Sequence, residues 1–117
     1  MACNVEAEVK GNVLLLRMSG ELDHHEVGPI RKELIELMEK ESIRHMILNL
    51  ANLEFMDSSG LGLILGRYKH LQKIGGNMVL CAATPAVKRL FEMSGMYKIL
   101  IVELSEERAF SRLEAVQ

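Results

Sequence analysis

Phe55-Met56-Asp57-Ser58-Ser59-Gly60-Leu61-Gly62-Leu63-Ile64-Leu65-Gly66, read FMDSSGLGLILG, interrupts an apolar run with an acid, two hydroxyls and a glycine. Short polar side chains at such a break accept hydrogen bonds from the orphan amides of a first helical turn, so the stretch predicts a strand becoming a helix. Upstream, His45 to Ala51 (HMILNLA) is short and apolar nearly throughout, the pattern of an interior strand of a parallel sheet. Downstream, Leu61, Ile64, Leu65, Tyr68 and Leu71 form a helical stripe that Gly75-Gly76 ends.

The pattern repeats outward in both directions. Val5, Ala7 and Val9 alternate with polar residues, Gly11-Asn12 suits a tight hairpin, and Val13 to Met18 continues as a second strand. A first helix follows from about Glu26 to Lys40, with Pro29 tolerable in its opening turn. After the quoted motif come a strand at Asn77 to Ala82 and a helix capped by Thr84, opened by Pro85 and stopped by Gly95. A last strand is expected at Ile99 to Val102, and Ser105 should cap a final helix. The order β-β-α-β-α-β-α-β-α predicts a single α/β domain over residues 1–117, a mostly parallel mixed sheet of about five strands with about four helices. The loops Gly20 to His25, Asn52 to Ser58 and Ala82 to Pro85 should then share the pole where the parallel strands end, with Asp23, Asp57, Ser58 and Thr84 as neighbours.

Composition excludes more than it assigns. The 14 basic and 16 acidic residues are dispersed, for a net charge of -2, so no nucleic-acid footprint or polybasic membrane patch is visible. Two cysteines give no disulfide framework, and the apolar runs are too short to span a bilayer; a soluble, cytoplasmic protein is expected. His24, His25, His45, His70, Cys3 and Cys81 have no zinc-site spacing, and no phosphate loop of the G-x-x-x-x-G-K-S/T kind is present, so neither metal nor cofactor is expected. Most of the eight methionines fall in strand or helix patterns, Met18, Met46, Met78 and Met93 among them, and read as core filling.

Ser58 carries the candidate chemistry. As a nucleophile it would need a Gly-x-Ser-x-Gly elbow, but Met56 and Gly60 flank it and only His24 and His25 could serve as base, so no enzyme is expected. As a phosphate acceptor it is better placed: the helix start favours negative charge, and a phosphoserine beside Asp57 would repel a partner that fitted the bare hydroxyl. Gly62 and Gly66 cost the helix stability, which implies that something approaches their face closely. On a helical wheel Leu63 falls beside His70, Ile74 and Gly66, a modest apolar strip off the core side that is either a docking face or covered by a neighbouring helix.

ILNLANLEFMDSSGLGLILGRYKHLQKIGG, with SGELDHH before it and MVLCAATPAVKRLFEMSGMYKIL after it, resembles the STAS domain of bacterial sporulation anti-sigma factor antagonists over essentially the whole chain. The resemblance implies phosphorylation of Ser58 by an ATP-dependent serine kinase, of histidine-kinase-like fold, that is also the anti-sigma factor. The unphosphorylated form would bind that kinase and so release the sporulation sigma factor, and a metal-dependent serine phosphatase would restore it. Asp57 matches the family's acid before the phosphoacceptor, and Asp23 the acid of the first pole loop, which the resemblance places near the kinase contact. The contact implied comprises Asp23, His24, Asp57, Ser58, Ser59, Gly60, Leu61, Gly62 and Leu63, with Ser59 ranked second as acceptor. The free domain is expected to be a monomer. A related module of a general stress or other signalling switch is the alternative, ahead of a small hydrolase using Ser58.

Overall fold

Two strands joined by the two-residue turn Gly11-Asn12 open the chain: β1 (Cys3–Lys10) and β2 (Val13–Leu22) pair antiparallel, with Lys10 opposite Val13. The computed structural model describes residues 2–116. Gly11 sits at φ 61°, the left-handed conformation that such a turn demands and that glycine adopts without a Cβ penalty.

The remaining elements alternate. They are α1 (Val27–Lys40), β3 (His45–Met56), α2 (Ser58–Lys73), β4 (Met78–Cys81), α3 (Pro85–Ser94), β5 (Ile101–Glu103) and α4 (Glu106–Val116). The sheet order is β1-β2-β3-β4-β5, with β2 through β5 parallel. Successive side chains of a strand face opposite ways, and this divides the core in two. Leu14, Leu16, Met46, Leu48, Met78 and Leu80 face α1, α2 and α3, whereas Val13, Leu15, Ile47, Val79 and Cys81 face α4 through Ala109 and Leu113. Strands buried on both faces read as continuous apolar runs, which explains the VLLL and MVLC segments.

Four departures from the sequence reading matter. β2 runs to Leu22 rather than Met18, and β3 to Met56 rather than Ala51, because their upper halves pair with each other: Ser19 with Asn52, Gly20 with Leu53, Glu21 with Phe55 and Leu22 with Met56. Register shifts on either side of this segment disturb the alternation that a strand would otherwise print on the sequence. The expected loops Gly20 to His25 and Asn52 to Ser58 therefore shrink to the Asp23–Glu26 turn and Asp57. A short 3-10 turn, Met96–Lys98, intervenes before β5, so Ile99 is an exposed connector and not the first strand residue.

Met93 is not core filling: it is 80% exposed at the end of α3, on the side opposite Val87 and Phe91. Leu63 is likewise corrected. The buried residues of α2 span an arc about 160° wide at 100° per residue, from Leu63 through Gly60, Leu71 and Ile64 to Leu61. α1 covers the Leu63 flank, where Arg67 reaches the Met38 sulfur at 3.8 Å. Of the expected strip, Leu63 is buried, His70 is half-buried and Ile74 is exposed.

Candidate functional site at the start of α2

Asp57 is the cap of α2. Its backbone is extended (φ -106°, ψ -173°), and its Oδ1 accepts from the amides of Ser59 at 2.9 Å and Gly60 at 3.3 Å. Its Oδ2 accepts from the amide of His24 at 3.2 Å, and the His24 Nδ1 lies 3.7 Å from that oxygen. One carboxylate thus joins the helix start to the turn after β2. Burial opposes its ionisation, but the amides of Gly60, Ser59 and His24, with the His24 charge, outweigh that and hold Asp57 below the usual carboxylate value.

Asp23 shapes that turn: its carbonyl accepts from the amides of Glu26 at 3.0 Å and Val27 at 3.2 Å, and its Oδ1 from His25 at 2.9 Å. The His24 and His25 rings lie against each other with centroids 3.9 Å apart and planes tilted by 40°, both exposed. Asp23, His24 and Asp57 are thereby brought together as the sequence implied. Thr84 is not part of this cluster. It caps α3 through Val87 and donates to the Leu53 carbonyl at 3.1 Å, four residues before Asp57.

Because Asp57 does the capping, the Ser58 hydroxyl is left free. Ser58 is the first residue of α2, it is exposed, and its side chain makes no hydrogen bond among the described residues. Ser59 is half-buried. Gly60 is buried, and a Cβ there would lie 2.5 Å from the Met56 Cγ and 3.0 Å from the Leu22 carbonyl, so only glycine lets α2 start this close to the strand ends. Leu61 is buried like Leu63, which places both side chains beneath the surface rather than on it. Gly62 and Gly66 are exposed, and beyond the backbone of their own helix no atom of the described residues comes within 4 Å of where a Cβ would stand. Ser58, Gly62 and Gly66, four apart, line one bare helix face.

Sequence reasoning missed a second polar constellation. Arg17 on β2 donates from Nε and Nη2 to both carboxylate oxygens of Glu106, at 2.7 and 2.9 Å, and from Nη1 to Glu8 at 3.2 Å; Asn49 on β3 donates to Glu106 at 2.5 Å. The Arg17 hydrogen bond, with that of Asn49, outweighs burial and holds the Glu106 carboxyl below the usual glutamate value. This network ties the first turn of α4 to three strands. The only sequence signal for it was two polar residues, Arg17 and Asn49, inside otherwise apolar strands.

The STAS domain family matches residues 4–109. The chain is 45% identical over 116 residues to an anti-sigma F factor antagonist of Paenibacillus polymyxa, covering 99% of each chain. Its fold is similar to that of the anti-sigma factor antagonist SpoIIAA in its unphosphorylated form, with a TM-score of 0.82, 34% identity and 99% of each chain covered. For the Bacillus cell fate determinant SpoIIAA in the phosphorylated form the TM-score is 0.72, at 34% identity, with 95% of this chain and 98% of that one covered. With the family's span reaching from β1 into α4, the chain belongs to the STAS domain family.

Proposed function

We propose that this protein is an anti-sigma factor antagonist whose binding is switched by phosphorylation of Ser58. Its unphosphorylated form binds an anti-sigma factor that is also an ATP-dependent serine kinase, and so releases a sporulation sigma factor; a metal-dependent serine phosphatase reverses the modification. It acts in the cytoplasm as a regulatory binding module and not as an enzyme. The observation that carries the reading is the Ser58 hydroxyl: exposed, unbonded, and first in a 16-residue helix capped by its neighbour.

The physics of the switch follows from that geometry. A phosphate would bring about 1.5 to 2 negative charges to the surface at Ser58. The helix N-terminus attracts them, but Asp57 already holds the Ser59 and Gly60 amides and stays ionised, so the new charge adds to an existing one. The fold is retained while the surface turns strongly anionic, which repels an acidic or apolar partner surface that had met the bare serine. The contact comprises Asp23, His24, Asp57, Ser58 and the glycine face of α2, with Ser59, Gly60, Leu61 and Leu63 shaping it from below.

Mass spectrometry after incubation with the cognate kinase and ATP should find a single phosphate, on Ser58, and none on Ser58→Ala. Label on Ser59 or Thr84 would overturn the site. Ser58→Asp should fold normally and bind the kinase more weakly; unchanged affinity by calorimetry would overturn the charge mechanism. Running the same assay with a kinase of a stress-signalling switch separates the two pathways.

A further inference from the structure

At the pole where the parallel strands begin, away from Ser58, Asn12, Arg44, His45, Gly75, Asn77 and Val116 enclose a cavity of 270 Å³. Its walls are fixed by main-chain bonds. The amides of Arg44 and His45 both donate to the Asn12 carbonyl, at 2.9 and 3.1 Å, and the amide of Met46 donates to the Asn77 carbonyl at 3.0 Å. Gly75 is left-handed at φ 76°, and a Cβ on Gly76 would collide with the Arg44 carbonyl, so the turn after α2 is moulded around the Arg44 backbone.

Two side chains on this wall offer donors, Arg44 and His45. His45 is 3% exposed, and its Nδ1 accepts from the Asn77 amide at 3.0 Å, which leaves Nε2–H as the free donor of the ring. Arg44 reaches the Gly75 carbonyl only at 3.3 to 3.4 Å, and no carboxylate pairs with it among the described residues. The carbonyls ending α2 are already satisfied: Leu71 accepts from Ile74 and Gly76, and Gln72 from Gly75. No carboxylate lines the cavity among the described residues. A guanidinium, an imidazole N–H and two amide side chains around a small preformed space make an arrangement complementary to an oxyanion.

We infer that this cavity binds a small oxyanion, borne as a phosphoryl or carboxylate group on a metabolite, independently of the Ser58 switch. The volume lies at the lower end for ligand pockets, about 300 Å³, so it suits one compact molecule. The Arg44 fork supplies charge and bidentate geometry, and His45 and the asparagines fix the orientation of the bound oxygens.

Nitrogen-15 NMR titration of the full chain with inorganic phosphate, and separately with acetate, tests this against sodium chloride at matched ionic strength. Saturable shifts are expected at the Arg44, Gly75 and Asn77 amides, with a dissociation constant on the order of 1 mM for the better anion. Arg44 is exposed, so Arg44→Gln should fold and weaken that binding about tenfold, whereas Ser58→Ala should bind like the parent. Tighter phosphate points to a phosphoryl ligand and tighter acetate to a carboxylate. Equal shifts with chloride, no saturation by about 50 mM, an Arg44→Gln titration like the parent's, or shifts confined to Ser59 and Gly60 would each overturn the inference.

Discussion

Asp57 and Ser58 are adjacent, both polar and both competent to cap a helix, yet the fold gives them different work. Asp57 takes the extended conformation and accepts three amides, which leaves Ser58 to point its oxygen into solvent. The two roles can be separated by substitution. Asp57→Ala should cost about 1 to 2 kcal/mol in denaturant unfolding, because it removes a helix cap that also tethers His24. Ser58→Ala removes no hydrogen bond and should leave the unfolding midpoint where it is.

A helix tolerates an exposed glycine only at a cost, and α2 carries two on one face. Filling Gly62 or Gly66 with a methyl group meets no other element among the described residues, so Gly62→Ala and Gly66→Ala should each stabilise the isolated domain by about 0.5 to 1 kcal/mol. If a partner lies against that face, the same methyl should weaken its binding. Calorimetry with the kinase and a denaturation curve on the same variants measure both; stabilised variants with unaltered affinity would remove the Gly62 and Gly66 face from the contact. Gly60 is the contrasting case, since a Cβ there meets Met56 and the Leu22 carbonyl and the variant should lose stability.

Across the whole molecule, the buried His45 and the half-buried carboxylates of Asp57 and Glu106 set the response to pH. Burial, with Arg44 nearby, lowers the His45 pKa from 6.5. The folded protein therefore keeps a neutral imidazole that the unfolded chain protonates first, so stability is complete above about pH 6.5 and declines as pH falls through the folded value. Asp57 and Glu106 act in a lower window: both are held below the ordinary values of their side chains, 3.8 and 4.5, and their contribution is lost only in stronger acid. The urea midpoint should fall between about pH 7 and pH 5.5, and a His45→Gln variant should flatten that segment while keeping the steeper acid limb.

Much of this was local and so could be read directly. The 3.6-residue stripes of α1 and α3, the Gly11-Asn12 turn, the Thr84-Pro85 helix start and the Gly95 stop each rest on chemistry confined to a few neighbouring residues, and the alternation of strands and helices fixed the order of elements. The polar break at Asp57 marked the start of α2, where the proposed site lies, for the same reason. Tertiary structure decided what depends on contacts distant in sequence. The upper halves of β2 and β3 became strand by pairing with each other across a bulge, Leu63 was buried because α1 lies over it, and Arg17, Asn49 and Glu106 met across 89 and 57 positions of chain. Which of two adjacent polar residues capped α2, and which was left free, turned on where the turn at Asp23–His24 came to rest, since that turn supplies the third amide that holds the Asp57 carboxylate.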